Sequence, residues 1–277
     1  MVLEVEGSLR DQGDHDPRFE SGAYTTLLSS AQRLPALGTG FQVRVTLALA
    51  STLLRSGHYD AAEEQAESAH RSAEGALGAD DPLTLQARHL RAEAWLFQDR
   101  VAQAEQEYLA LLADRERVLG PEDPRTLDTR FQIALVAGIR GEWERARRQH
   151  EEVLRARLRV HAPDDDGALD SMDALGYAAL RSGDLDTAER LFDEVHEVRL
   201  RTLGASHRRT LNSAYKRGLV ALGRGAKARA REIFRHVLEV RTETLGPDHP
   251  QTRLVRDRLI GVSDPFREAR HGGGSSA

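Results

Sequence analysis

The chain contains no cysteine, only two lysines among its 277 residues, and few aromatic side chains. Without cysteine it can form no disulfide framework, no thiolate metal site and no cysteine nucleophile. No apolar run approaches the ~20 residues that a membrane-spanning helix needs. The first residues also lack the charged and apolar segments of a signal peptide. We therefore expect a cytoplasmic protein that does not bind a membrane.

The sequence also lacks the short motifs that carry chemistry. It has neither a phosphate-binding loop nor a His-Glu-x-x-His zinc motif, and its acidic stretches lack the register of a calcium loop. A net charge of −5 argues against nucleic acid as the main partner. We expect no enzymatic activity, no cofactor and no metal ion.

The chain is rich in alanine, leucine, arginine and glutamate, all of which favour helices. One phrase recurs through it, as in "LGPEDPRTL" from Leu119. Copies begin at Leu77, Leu203 and Leu245, and a degenerate copy, "HAPDDDGAL", occupies the position expected at 161. The spacing is 42 residues throughout, which indicates an array of repeated structural units.

Other positions obey the same period. An alanine recurs in all five units, and a small residue recurs twelve positions before it. Small residues on two successive segments let two helices cross closely, and an aromatic residue four positions after the alanine fills the space beside the crossing. The two small columns are Ala62, Ala104, Ala146, Ala188 and Ala230, preceded by Ala50, Ala92, Ala134, Gly176 and Gly218.

Each unit is therefore predicted to be helix A, a tight turn, helix B and the Leu-Gly loop. Helix A is expected at about 41–56, 83–97, 125–140, 167–182 and 209–223. Helix B is expected at about 59–76, 101–118, 143–159, 185–202 and 227–244. We expect a flexible N-terminus over 1–17, one solenoid over 18–261 and a disordered tail over 262–277. The solenoid would open with a leading helix at about 18–33 and close with a capping helix.

These features resemble the tetratricopeptide repeat, best at Leu175-Gly176 and Ala188-x-x-x-Phe192. The 42-residue length and the loop phrase resemble the kinesin light chain variety, which is also abundant in bacterial proteins, often attached to signalling ATPases. The resemblance covers about 37–261. It implies an all-α, right-handed superhelical solenoid of antiparallel helix pairs, and a module that binds proteins or peptides.

The loop phrase itself is interpreted as a helix stop followed by a helix start. Gly120 suits the left-handed position after a helix, Asp123 suits an N-cap, and Pro124 suits a first turn. His207 and His249 take the capping position in other copies, and metal ligation by them is the alternative. An arginine column four residues before each Leu-Gly, Arg115, Arg157, Arg199 and Arg241, is expected to make exposed contacts with the helix dipole and the acidic loop.

A partner is expected on the concave face, which helix A would line. Positions on helix A that the packing columns leave unused collect aromatic and polar side chains, a composition typical of peptide grooves. The alternative is that the rings fill gaps between adjacent helices. Because acids lie in the middle of the set, we expect a partner of basic character. The predicted partner-binding residues are His89, Glu93, Asp128, Phe131, Leu135, Asp170, Asp173, Tyr177, Asn212 and Tyr215.

Three functions remain open at this point. The first is a binding module that recognises a partner segment, as an adaptor or as the sensor part of a regulator. The second is a scaffold that self-associates as a homo-oligomer. The third is an enzyme or biosynthetic accessory protein with a site inside the superhelix, which the fold alone neither requires nor forbids.

Overall fold

A computed structural model describes residues 38–160 and 162–263, and all regular secondary structure in these ranges is helical. The predicted flexible N-terminus, the leading helix at 18–33 and residues 264–277 of the predicted tail lie outside the described residues. Eleven helices follow one another in the described part of the chain. They are α1 (Gly38–Arg55), α2 (Tyr59–Leu77), α3 (Pro82–Phe97), α4 (Val101–Leu119), α5 (Pro124–Ile139), α6 (Trp143–Val160), α7 (Asp166–Ser182), α8 (Leu185–Leu203), α9 (Arg208–Gly223), α10 (Lys227–Leu245) and α11 (Pro250–Ser263).

The helices fall where the 42-residue period predicts them. Ten of them, α1 to α10, alternate as helices A and B with bounds within three residues of the expectation, and α11 is the helix expected after the last loop phrase. It continues to Ser263, two residues beyond the predicted end of the solenoid. The predicted all-α fold of paired helices is therefore confirmed.

The chain divides into two compact units. The described part of the first unit holds α1 to α5 and ends at Arg140, and the described part of the second unit begins at Gly141 and holds α6 to α11. Within each unit consecutive helices pack side by side, and helices A also touch, α1 with α3 and α7 with α9. Short loops make consecutive helices antiparallel neighbours.

The small-residue columns lie at the close helix crossings, as predicted. The five column alanines of helix B are at most 1% exposed. Opposite them, a Cβ placed on Gly176 would lie 2.8 Å from Cε1 of the fully buried Phe192, and Gly218 is closer still to Phe234. The phenylalanine ring thus occupies the space where the Cβ of any other residue would lie. These two crossings therefore need glycine at positions 176 and 218.

Substituting these glycines tests the crossing directly. We expect Gly176→Ala to lower the free energy of unfolding by about 1–3 kcal/mol, because the added methyl group overpacks the core against Phe192. Gly75 is the matched control, since it is helical and exposed with nothing near its Cβ position. Gly75→Ala should raise stability by about 0.5–1 kcal/mol. Urea unfolding measures both changes, and equal effects at the two positions would contradict this account.

The Leu-Gly loop ends helix B with a glycine of positive φ, but not in the left-handed helical conformation. The glycines at 78, 120, 204 and 246 have φ between 86° and 96° and ψ between 161° and 168°. This region is essentially restricted to glycine. Their N–H groups still close the last helical turn, and the extended ψ then directs the chain away from helix B into the next helix A. By contrast, Gly183 at the end of α7 does adopt the left-handed helical conformation.

The second half of the phrase caps helix A, as predicted. The carboxylates of Asp81, Asp123 and Asp165 accept hydrogen bonds of 2.8–2.9 Å from the backbone N–H two residues later. His207 and His249 do the same through Nδ1 at 3.2 Å. That lone pair is therefore already used, so Nδ1 of these histidines is not available to a metal ion. Asp165 belongs to the degenerate copy, which keeps the cap although it lost the Leu-Gly.

The arginine column departs from the prediction, because its members are buried and not exposed. Arg115, Arg157, Arg199 and Arg241 are only 2–7% exposed. Three of them donate to the backbone carbonyl of the second residue of the next helix A: Arg115 to Arg125, Arg157 to Gly167 and Arg241 to Gln251, at 2.6, 2.6 and 3.1 Å.

The same guanidinium groups also bind the helix A that precedes them. Arg115 approaches the Leu85 carbonyl at 3.4 Å, Arg199 donates to Asp170 at 3.0 Å, and Arg241 donates to Asn212. Arg115 and Arg241 therefore each join two successive helices A through the end of the helix B between them. The prediction of exposed arginines assumed that the end of helix B faces solvent. That end lies between the preceding and the following helix A, so the arginine side chain turns inward to bind them.

Removing one of these arginines should weaken the stack. We expect Arg241→Met to lower the free energy of unfolding by about 1–3 kcal/mol, since it takes the donor away from partly buried acceptors on α9 and α11. Arg235→Met on the same helix is the control, because Arg235 is exposed and its loss should change stability little. Chemical unfolding of both variants makes the comparison, and similar losses in the two would refute the role of Arg241.

Candidate functional site

The residues predicted to bind a partner all lie on helices A. In the first unit, His89 and Glu93 belong to α3, while Asp128, Phe131 and Leu135 belong to α5. In the second unit, Asp170, Asp173 and Tyr177 belong to α7, while Asn212 and Tyr215 belong to α9. The two sets are described separately, because each unit carries its own group of side chains.

In the first unit, His89 is held neutral beside the buried arginine. Its Nδ1 lies 3.4 Å from Nη1 of Arg115, and its ring meets Tyr108 edge-on with centroids 5.5 Å apart. Burial, followed by the positive charge of Arg115, lowers the pKa of His89 to about 3. An imidazole in this state accepts a hydrogen bond and does not titrate near neutrality.

Glu93 is the group with unusual electrostatics in the first unit. Burial, followed by the negative charge of Asp128, raises the pKa of Glu93 to about 7. No arginine or lysine offsets these two effects, and Glu93 makes no hydrogen bond within the described ranges 38–160 and 162–263. The side chain is nevertheless partly accessible. Asp128 is exposed, and Phe131 and Leu135 are partly buried beside it on α5.

The acids of the second unit have cations beside them. Asp173, only 3% exposed, forms an ion pair with Lys216 and lies 3.9 Å from Arg199. Asp170 accepts from Arg199 at 3.0 Å and lies 4.0 Å from Arg209. Burial still raises the pKa of Asp170, although both arginines oppose that rise. The negative charges of Asp170 and Asp173, from which a basic partner was predicted, are thus largely balanced by arginine and lysine side chains in this unit.

Tyr215 is also interior, only 7% exposed. Its ring centroid lies 5.4 Å from that of Phe234 and 5.9 Å from the guanidinium carbon of Arg241. This arrangement corresponds to the alternative in which a ring fills the gap between helices. Asn212, which receives a hydrogen bond from Arg241, is likewise engaged in packing α9 to α10.

Tyr177 differs, because it belongs to a partly exposed cluster with Trp143 and Arg181, here called the Trp143 cluster. The Arg181 guanidinium carbon lies 4.3 Å from the Trp143 ring centroid and 6.0 Å from that of Tyr177. The two rings meet edge-on with centroids 6.0 Å apart, and Arg181 donates to the Tyr177 hydroxyl at 3.3 Å. The sequence analysis did not select Trp143, which begins α6 at a position that Tyr59, Val101, Leu185 and Lys227 occupy in the other repeats. Its rarity, as one of two tryptophans, was the available signal.

The electrostatics of Glu93 predict a pH-dependent stability. Its pKa in the folded protein, about 7, lies above the ordinary glutamate value of 4.5. The folded state therefore binds the proton more tightly, and stability falls as the pH rises from 4.5 to 7. We expect Glu93→Gln to raise Tm by a few degrees at pH 8 and to leave it nearly unchanged near pH 4.

Glu105 provides the control, because its carboxylate is already paired with Arg140 at 2.7 Å in the same unit. Glu105→Gln should lower Tm slightly, or leave it unchanged, at pH 8. Differential scanning calorimetry across the pH range measures all three proteins. An E93Q protein that is no more stable than wild type at pH 8 would contradict the claim that the ionised Glu93 carboxylate destabilises the folded protein.

Comparison with known proteins identifies the class. Two family models, both described as tetratricopeptide repeat, match residues 46–83 and the overlapping stretches 132–200 and 168–243. Together they span more than half of the chain, and the chain belongs to the tetratricopeptide repeat family. Among curated proteins, none matches the sequence.

Solved structures share the fold at low sequence identity. A putative kinesin light chain with nearly identical repeats from Podosopora anserina is 21% identical with a TM-score of 0.60, over 74% of this chain and 96% of that one. BtubC (BKLC) from P. vanneervenii is 18% identical with a TM-score of 0.67, over 86% and 95%. A signal transduction ATPase with a tetratricopeptide repeat sensor from Pyrococcus horikoshii is 14% identical with a TM-score of 0.63, over 88% and 37%.

The family, and the fold shared with kinesin light chain-like proteins, support a protein-interaction module. Among the described residues, no helix combines the length and apolar character needed to span a bilayer. Within the same residues, no group of three or more histidines and acids could hold a metal ion. The side chains of the candidate site offer aromatic rings, guanidinium groups and the carboxyl group of Glu93 to a partner.

Proposed function

We propose that the protein recognises a partner segment along its helices A, as an adaptor or as the sensor part of a regulatory system. The observation that carries the proposal is the Trp143 cluster in the second unit. Tryptophan, tyrosine and arginine are the residue types that dominate binding energy at protein interfaces. Here one of each lies together on the surface, within contact distance.

The geometry of the cluster suits binding without rearrangement. Arg181 is exposed, yet its guanidinium group is stacked on Trp143 and tied to the Tyr177 hydroxyl. These contacts restrict the side chains before a partner arrives, so less conformational entropy is lost on binding. The apolar ring faces supply buried area, and the guanidinium edge and the hydroxyl group supply hydrogen bonds to a peptide backbone.

The remaining predicted residues take different roles in this proposal. Asp173 and Tyr215 are buried, so they support the helix A surface without touching the partner. Asp170 is partly accessible beside Arg199 and Arg209, and contributes a charge-compensated polar edge. The expectation of a basic partner therefore depends on the first unit, where Glu93 has no cation beside it. A role as sensor is supported by the ATPase of similar fold, whose repeats are described as a sensor.

Substitutions in the cluster test the proposal by comparative affinity capture. The tagged wild-type protein and a Trp143→Ala, Tyr177→Ala double variant would be incubated with native lysate, and bound proteins quantified by mass spectrometry. We expect the specific partner to fall at least about tenfold in the double variant, since each ring should contribute 1–2 kcal/mol or more.

Leu109→Ala is the matched control, since Leu109 is an exposed apolar residue of helix B, 48% accessible. This variant should retain the partner, and equal Tm values would show that all three proteins are folded. Retention of every specific partner by the double variant would exclude the Trp143 cluster as the binding site.

Self-association is a second candidate, favoured by a specific surface feature. Four apolar side chains near the ends of α6 and α8 in the second unit are 39–48% exposed: Leu158, Val160, Leu200 and Leu203. Leu158 and Leu200 occupy equivalent positions in consecutive repeats, 42 residues apart. Multi-angle light scattering across protein concentration tests this candidate. Assembly that Leu158→Asp with Leu200→Asp abolishes would support it, and a constant monomer mass would exclude it.

A further inference from the structure

Glu93 stands out because the protein leaves its carboxyl group without a counter-charge. Within the described residues it accepts no hydrogen bond, and the one charge that acts on it is the like charge of Asp128. Other glutamates of the first unit differ: Glu107 binds Arg88 and Arg91, Glu67 binds Arg91, and Glu105 binds Arg140. A partly buried carboxylate with no cation is energetically unfavourable unless something else supplies the positive charge.

A second polar group at the same place also lacks a partner. The Tyr108 hydroxyl is fully buried and has no hydrogen-bond partner among the residues that the structure describes. It lies close enough to Glu93 for that carboxylate to raise the pKa of the phenol further above its ordinary value, after burial itself. Two polar side chains from α3 and α4 therefore converge with hydrogen-bonding capacity that the described protein groups do not use.

The charged groups on the surrounding helices do not reach Glu93. On α4, Arg115 is directed to His89, Thr129 and backbone carbonyls. On α2, Glu63 binds Trp95 and Arg100, and Glu67 binds Arg91, all on other faces of α3 or beyond it.

Two neighbours remain to be considered. On α1, Arg55 contacts Ser51 and Thr52 of its own helix. On α5, Asp128 is exposed. Burial lowers the pKa of Arg115 and the charge of Asp128 opposes that lowering, so Asp128 acts on Arg115 as well as on Glu93. Among the described residues, the charge that acts on Glu93 is therefore negative, and no cation acts on Glu93 itself.

We propose that Glu93 and Asp128 form a cation subsite in the first unit, which takes a lysine or arginine side chain of the bound segment in exchange for a proton from Glu93. The inference deepens the proposed function, because it names the charge of the partner. It concerns a different unit and different residues from the Trp143 cluster. In the exchange the carboxyl O–H bond breaks, the proton leaves to solvent, and the carboxylate accepts hydrogen bonds from the cation.

The exchange makes recognition sensitive to pH near neutrality. With a pKa of about 7 for Glu93, only about a tenth of these groups are ionised at pH 6 and about nine tenths at pH 8. A bound cation interacts favourably only with the ionised form. Affinity for a cationic segment should therefore rise about tenfold from pH 6 to pH 8, provided that the ligand itself does not titrate in this range.

The probes are blocked pentapeptides, Gly-Gly-X-Gly-Gly, in which X is arginine, lysine, glutamine or glutamate. The full chain, labelled with carbon-13 at glutamate carboxyl groups, would be titrated from pH 5 to 9 with and without each peptide. We expect the arginine and lysine peptides to lower the titration midpoint of Glu93 and to bind about tenfold more tightly at pH 8 than at pH 6. The glutamine and glutamate peptides should not lower it.

Two variants make the test specific. Glu93→Gln should remove the pH dependence of binding, whereas Glu105→Gln should preserve it, since the Glu105 carboxylate is already paired. A Glu93 midpoint that responds equally to all four peptides, or to none, overturns the proposal. The Trp143→Ala, Tyr177→Ala double variant should retain the Glu93 response, so failure of the subsite and failure of the proposed function are distinguishable.

Discussion

The buried arginine near the end of helix B is the interaction on which the arrangement of the helices depends. Arg115 and Arg241 each use one guanidinium group to bind the helix A before them and the helix A after them. A guanidinium group is planar with donors in a fixed fork, so it restricts both the distance and the angle between the groups it joins. Repetition every 42 residues places these joints at equivalent positions, and the helices A that they connect carry the candidate sites.

The same arginines determine the charge of each site. In the second unit, Arg199 finds a carboxylate on α7, and with Arg209 and Lys216 it compensates Asp170 and Asp173. In the first unit, Arg115 contacts neutral groups, and Glu93 lies beyond its influence. One structural element therefore leaves a compensated polar surface beside the Trp143 cluster and an uncompensated carboxyl group at Glu93. The two units consequently offer different chemistry on equivalent helices.

Much of the architecture could be predicted because its causes are local. Helix bounds follow from capping residues such as Asp81 and Asp123, whose side chains bond the backbone two residues away. The close crossings follow from small residues such as Gly176. The site was less predictable. The repeat pattern selected Asp173, Tyr177 and Tyr215 for the same predicted surface, yet of these three only Tyr177 is accessible. Trp143 comes from a neighbouring helix, and the varied residues at its position in the other repeats, such as Val101 and Leu185, did not distinguish it as a binding residue.

The sequence by itself determined the repeat length, the order of the helices and their caps, since these depend on residues near one another in the chain. Only the tertiary structure decided which polar side chains are buried, paired or left without a counter-charge. A long side chain such as Arg199 can turn toward solvent or inward, and the choice depends on acceptors ten to thirty residues away. The pKa of Glu93 likewise results from burial and then from the charge of Asp128, 35 positions later, because burial and Coulomb interactions depend on distance in space.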